Sequence, residues 1–454
     1  MSEKVREADV IFQTSLYDNK IYVREQKGWW QNKRRLIGTV LMILFVALPW
    51  MTYNGEQAIF FDVGQQTLHL FSLTLFPSDM FIFTLLFILA AFMLFYVTKL
   101  YGRVWCGFVC PQTIWTLMFN WVERRIEGTH NKSKALDKAP MSVEKVAKKS
   151  AKHLVWFAIS LLTALAFMSY FSPAHNLYID FFTLQSTAVI DAWVWFFAIC
   201  TYVNAAWMKE KMCQHVCPYS RFQSAMFDDA TYLVGYDELR GEGRGKRKRG
   251  QEKTAGQGDC VDCDLCVQVC PVGIDIREGL QYECISCGLC IDACDDTMDK
   301  FGYKKGLIKF AQIKSTLKDK KQNLAYFSII LFTVVAMVVW FQQRIVFDLT
   351  VSRDRQALYR VNDEGNFENT YIIQIRNKTR NTETYELGMS GLQDIEIIGD
   401  NRIVVKPGEL KTTTIAVATP DELTRRQTKV SFNLTSESRQ QTLEQETSFY
   451  SGSY

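Results

Sequence analysis

Five stretches of the chain are dominated by apolar residues: Leu36 to Tyr53, Met80 to Thr98, His153 to Phe171, Ala188 to Trp207 and Ala325 to Phe341. Each is close to the ~20 residues an α-helix needs to cross a hydrocarbon core, and none contains Lys or Arg. Helices buried in soluble domains are seldom so long and so evenly apolar, so the pattern predicts five membrane spans. The first run follows a polar segment, residues 1–35, and is too long for the core of a signal peptide, which makes it an uncleaved anchor. After the last run the apolar period changes to two. TYIIQIRN, DIEIIG, NRIVVKP, TTTIAVATP and KVSFNLT are short β-branched runs separated by turn signals at Asn377, Pro407-Gly408 and Pro420. They predict an all-β sandwich over residues 342–454.

Charge orients this arrangement. Lys plus Arg number 8 in residues 1–35, 11 in 99–152 and 19 in 208–324, against none in loops 54–79 and 172–187. The positive-inside rule then places the N-terminus and both basic loops in the cytoplasm and the C-terminal segment, after an odd number of spans, on the far side. The 14 basic residues of 342–454 do not oppose this, since long domains cross largely regardless of charge. Residues 237–259, DELRGEGRGKRKRGQEKTAGQGD, are basic and Gly-rich and read as a mobile linker beside anionic lipid rather than as a nucleic-acid site.

All 13 cysteines lie between residues 106 and 294, and the exported segments have none, which points to metal rather than disulfides. CVDCDLCVQVCP from Cys260 and CISCGLCIDAC from Cys284 are both C-x2-C-x2-C-x3-C, the bacterial ferredoxin spacing, in which three thiolates of one run and the last of the other hold a cubane. Cys260, Cys263, Cys266 and Cys294 would hold one [4Fe-4S] cluster, and Cys284, Cys287, Cys290 and Cys270 the other. Zinc ribbons space two C-x2-C pairs apart and fit less well. Gly288 would let backbone approach the cluster. Asp295 stands where a proline usually follows the second run, and the acidic stretch Asp292, Asp295, Asp296 and Asp299 would lower that cluster's potential. The module is expected over 260–299.

A second cysteine pattern appears twice, as WCGFVCP with Cys106 and Cys110 and as MCQHVCP with Cys213 and Cys217. At i and i+4 each pair would share a helix face, while Pro111 and Pro218 disfavour helix at the preceding residue, so each motif should straddle a break from span to loop. Within the four-span domain, 36–236, both follow an even-numbered span and emerge on one face. Four such thiols could bind Cu(I), a third cluster or form a redox disulfide, with His215 as a candidate further ligand. They could also be small packing residues.

Taken together, the apolar runs, the paired C-x3-C-P motifs, the stretch CVDCDLCVQVCPVGIDIREGLQYECISCGLCIDACDDTMDK and the β-rich tail resemble the cytochrome c oxidase accessory protein (CcoG, or FixG/RdxA) family. The resemblance implies a bacterial inner-membrane protein with two [4Fe-4S] clusters on the eight cysteines named and an immunoglobulin-like exported tail. It further implies a cupric reductase that makes Cu(I) for assembly of cbb3-type cytochrome c oxidase, with Cys106, Cys110, Cys213 and Cys217 as the copper site. Partners would be that oxidase or its copper-assembly factors, and membrane lipid. The alternative is a quinol dehydrogenase like the membrane ferredoxins that feed periplasmic reductases, though those lack the β-domain. No G-x-G-x-x-G opens a helix after a strand, so the electron donor, cytoplasmic or quinol, is not built into the chain.

Overall fold

The first helix of the described chain follows a segment without regular secondary structure, residues 21–28, and carries three basic residues in its second turn. The computed structural model describes residues 21–454 except 225, 229, 252, 280, 282, 313–316, 355–356, 363–364, 393–394, 420–425 and 453–454. The first 20 residues of the N-terminal segment and the turn signal Pro420 thus lie outside the described residues. Two compact units are present. One takes the chain up to Val63 and from Phe83 to Val335, the other Gly64–Ile82 and the chain from Ala336.

In the first unit the helices that carry the argument are α1 (Trp29–Ala47), α2 (Met80–Tyr101), α3 (Val104–Phe108), α4 (Pro111–Glu127), α5 (Val143–Met168), α6 (Ala188–Tyr202), α7 (Leu289–Phe301) and α8 (Leu317–Gln343), the ends of α2 and α8 entering the second unit. Four helical stretches are long and apolar enough to cross a membrane: Pro77–Tyr101, Val143–Met168, Ala188–Met208 and Lys320–Gln343. Their flanks present large apolar side chains such as Phe87, Leu162, Phe196 and Phe332 to the outside, as lipid contact requires.

The expected first span, Leu36 to Tyr53, differs. Its helix begins at Trp29 and includes Lys33, Arg34 and Arg35 in its second turn, and it stops at Ala47 with a 3₁₀ turn to Trp50. Thr52 and Tyr53 instead pair with Gln57 and Glu56 across an Asn54-Gly55 turn. Both turn residues have positive φ, 53° and 84°, the geometry that Asn-Gly favours in a two-residue hairpin. The apolar part is therefore short, and among the described residues four helices, without α1, have the length and composition of a span.

Between α6 and α8 the cysteine-rich module, which includes α7, packs against α1 and α3. Strands Leu233–Tyr236 and Ile308–Ala311 pair antiparallel at its edge, so the folded module reaches beyond 260–299. Residues 237–259, expected to be mobile, are tied down. Arg240 bonds Asp259 at 2.5 Å, Arg244 reaches the Arg277 carbonyl at 3.1 Å, and Arg247 bonds the carbonyls of Gly258 and Cys260. The basic run thus satisfies carbonyls of the module.

In the second unit the strands are β1 (Phe347–Arg353), β2 (Arg360–Val361), β3 (Phe367–Asn377), β4 (Glu383–Ser390), β5 (Glu396–Ile398), β6 (Arg402–Val405), β7 (Leu410–Thr419), β8 (Gln427–Ser436) and β9 (Thr442–Tyr450). One sheet runs β5-β7-β3-β1 with β2 on β3, the other β6-β4-β8-β9. Strict alternation in β3 sends Tyr371, Ile373 and Ile375 inward against Ile415, Phe432 and Leu434. All five runs read as strands are strands. β1, β2, β4 and β9, whose faces are mixed or polar, are added by the structure.

Candidate functional site

The eight ferredoxin-type cysteines fall into two groups. Cys294 lies within electrostatic reach of Cys266, Cys260 and Cys263. Cys270 is likewise a neighbour of Cys287 and Cys284, and Cys290 of Cys287, Cys284 and Cys270 and, more weakly, of Cys266 in the other group. The last cysteine of each run thus sits with the first three of the other. Burial pushes Cys266, Cys270 and Cys294 up to about 12 and Cys284 to about 11, so the metal-free thiols are protonated at neutral pH and metal loading must expel those protons.

Left-handed residues Asp262, Asp264, Ser286 and Gly288 curl the loops around each group. Arg277, 8% exposed, clasps the first loop by bonding Asp275, Asp262 and Asp264 at 2.6 to 2.8 Å. Among the described residues, no three His, Cys, Asp or Glu side chains could hold a single metal ion. Zinc, with bonds of about 2.3 Å, needs its sulfurs within about 4 Å of one another. Two runs of four thiols suit a pair of cubanes, each of which takes four cysteine ligands around its iron-sulfide core.

The C-x3-C motifs also converge. Cys213 is an electrostatic neighbour of Cys110, Cys106 and Cys217. The two members of a pair do not share one helix face, however. Cys106 lies in α3, while Cys110 is the N-cap of α4 with Pro111 in its first turn. Cys213 lies in a π-helical turn, Met212–Val216, and Cys217 precedes the helix Pro218–Ser224. Proline at the first helical position starts a helix cleanly because its missing N–H has no intrahelical partner there. Each proline therefore begins a new helix, and the break falls between the two thiols. His215 is exposed on its turn.

Several residues outside the cysteine motifs hold this arrangement. Fully buried Gln223 accepts from Cys106 Sγ at 3.2 Å and from Arg103 Nε at 3.3 Å. Burial raises Cys106 to about 11, with buried Arg103 opposing the rise. A second π-helical turn, Val203–Met208, ends at Lys209, whose φ of 42° redirects the chain toward Cys213. Lys209 is fixed by Glu123 at 2.9 Å and Asn120 at 3.0 Å.

Gly107 joins the two centres. A Cβ there would lie 2.7 Å from the Ile285 carbonyl oxygen and 3.1 Å from Cys287 Cα, so the first C-x3-C motif touches the ferredoxin loop through bare backbone. Its carbonyl accepts from Arg34 Nε at 2.8 Å, and that guanidinium faces Cys287 and Cys270. Asp292, read as a contributor to cluster charge, caps α1 by accepting from Trp30 N at 3.2 Å and Gln31 N at 2.9 Å. Gly288, read as admitting backbone to a cluster, leaves room for the Trp30 ring, which a Cβ would approach to 2.7 Å.

Family profiles fit this organisation. A 4Fe-4S binding domain matches residues 81–129, a 4Fe-4S dicluster domain 208–313, and the IG-like fold at the C-terminus of FixG 337–452. The class is an iron-sulfur protein with helices suited to a membrane and an immunoglobulin-like C-terminal domain. The chain belongs to the FixG/RdxA family. It is 37% identical to protein RdxA of Cereibacter sphaeroides over 82% of both chains. It is 31% identical to nitrogen fixation protein FixG of Rhizobium meliloti, over 82% of this chain and 79% of that one. The crystal structure of a FixG-related protein from Vibrio parahaemolyticus matches 24% of this chain and 97% of its own, at 35% identity and a TM-score of 0.22.

Proposed function

We propose that the protein is an inner-membrane cupric reductase, taking Cu(II) to Cu(I) for the assembly of cbb3-type cytochrome oxidase. The observation that carries this reading is the convergence of Cys106, Cys110, Cys213 and Cys217 against the Cys287 loop. Cys260, Cys263, Cys266 and Cys294 would hold one cluster and Cys270, Cys284, Cys287 and Cys290 the other; when bound, these supply electrons one at a time, and Cu(II) needs one. Two of the soft thiols of the paired motifs take the copper ion and favour its reduced form, which needs few ligands. Gln223 and Arg103 orient Cys106, and Gly107 sets the distance between donor loop and acceptor thiols. The positive-inside pattern supports a cytoplasmic N-terminus and module, and with the shorter α1 counted as a fifth crossing the β-sandwich lies in the periplasm, facing the oxidase or its copper-assembly factors.

Changing all four paired cysteines to Ser tests this. Iron content and iron-sulfur absorption stay at wild-type levels, while Cu(I) formation by the dithionite-reduced, desalted protein is lost. Copper reduction at the wild-type rate would make the pairs structural. A second reading is favoured by the 4Fe-4S binding domain match at 81–129, a stretch with only Cys106 and Cys110. A cluster there would borrow Cys213 and Cys217, and the quadruple variant would then lose about a third of its iron.

A further inference from the structure

Between α1 and α4 runs a groove of about 610 Å³, lined by Gly38, Met42, Ile114 and Trp121 along its length and by Gln31 and Arg34 at its head. That volume falls in the range of small-molecule sites. Ile43 and Val46 on its wall are 60% and 42% exposed, so it opens on the apolar flank of α1. Gln31 and Arg34 are 5% and 3% exposed, yet Gln31 Oε1 and Arg34 Nη1 have no hydrogen-bond partner. An unpaired buried acceptor beside an unpaired buried donor is costly unless a ligand completes both.

We infer that this groove binds a membrane quinol, whose hydroxyl donates to Gln31 Oε1 while the other ring oxygen accepts from Arg34 Nη1 and the isoprenoid tail lies along Met42 and Ile114. This rests on the electron-transfer reading above and supplies its donor. The charge pattern favours a neutral head group over a phospholipid. Arg35 and Arg124, also on the wall, are both engaged by Glu25, at 2.6 and 3.9 Å. Arg34 already faces the Cys287 and Cys270 thiols.

The same two head residues place the ring beside the iron-sulfur ligands, since Arg34 also bonds the Gly107 carbonyl that abuts Cys287. Oxidation of one quinol to quinone breaks two O–H bonds and releases two electrons and two protons. The electrons go singly to iron-sulfur acceptors on the module. The protons go to water through a cavity of about 50 Å³ that shares Gln31 and Arg34 with the groove and has the carboxyl groups of Glu25 and Glu210 among its lining.

The test uses the full chain in lipid nanodiscs without oxygen. A photoreactive azidoquinone should label peptides from α1 and α4, with decylubiquinol competing. Gln31→Leu, which removes the acceptor, and Met42→Trp, which fills the groove, should each cut labelling about tenfold, as loss of one hydrogen bond or of packing implies. Iron content and the dithionite-reduced spectrum should remain those of wild type. Decylubiquinol should bleach the iron-sulfur absorption of wild type and act about tenfold more slowly on both variants. Labelling elsewhere, labelling indifferent to both substitutions, or a phospholipid that decylubiquinol cannot displace from the groove would overturn the inference. So would clusters that dithionite reduces and the quinol does not. If that last protein still converts Cu(II) once reduced by dithionite, only the donor assignment falls. If quinol binds and bleaches but copper stays oxidised, the copper reading falls and the quinol site stands.

Discussion

Gly107 does at the residue scale what no longer side chain could. Its missing Cβ lets the Cys106 motif lie against the Ile285 carbonyl and Cys287. Gly107→Ala should force the two apart at a cost of about 1–3 kcal/mol, typical of overpacking. The expected signature is retained iron, a lower melting temperature of the docked module, and slower Cu(I) formation by the reduced protein. Unchanged copper kinetics would show that electrons do not pass at this contact. The contact also marks the limit of what was legible. The cysteine spacings announced a two-cluster module because a thiol pattern is local, and a 4Fe-4S dicluster domain matches that stretch. Gly107, Gln223 and Arg34 carried no such signal, since each acts on a residue far away in sequence. Only the lysine-arginine triplet at the start of an apolar run hinted that α1 has a polar task.

At the element scale, α1 is docked by its first turn. Gly28 has no side chain because a Cβ would lie 2.2 Å from the Asp292 carboxyl carbon, and that carboxylate caps the helix N-terminus against its positive dipole end. Asp292→Ala should cost about 1 kcal/mol, the usual value of an N-cap. Hydrogen exchange at the Trp30 and Gln31 amides reads this directly, speeding strongly in the Ala variant and partially in Asp292→Asn, which keeps an acceptor but loses the charge. Equal exchange in wild type and Ala would mean that the Trp30 packing alone holds the helix. The element boundaries that hydropathy misplaced share one cause. Apolar runs do not record where caps and turns fall, so the Asn54-Gly55 hairpin was hidden inside one of them, and the π-helical turns before and around Cys213 emerge only once tertiary partners are present. The β-domain strands were easier, because a period of two follows from one face being buried.

For the whole molecule, the two compact units have separate cores, and only one of them carries cysteine. Anaerobic removal of iron should therefore raise hydrogen exchange across 260–311 to that of an unfolded segment and leave peptides from β3, β7 and β8 protected, since metal binding and folding are coupled only where the ligands are. Loss of protection in the sandwich as well would reveal a dependence that its own hydrophobic core gives no reason to expect. The cap on α1 has a consequence in time. Trp30 and Asp292 are 262 residues apart, so at ribosomal rates of about 5–20 residues per second the helix waits roughly 13–50 s for its partner to be synthesised. During that wait Gln31 and Arg34 have neither the module nor a ligand to cover them, and the loops that will receive α1 take their shape only after iron arrives. Iron supply thus becomes a checkpoint on biogenesis: in a starved cell the newly made protein lingers with its amino-terminal helix undocked, exposed to the membrane proteases that clear unfinished chains.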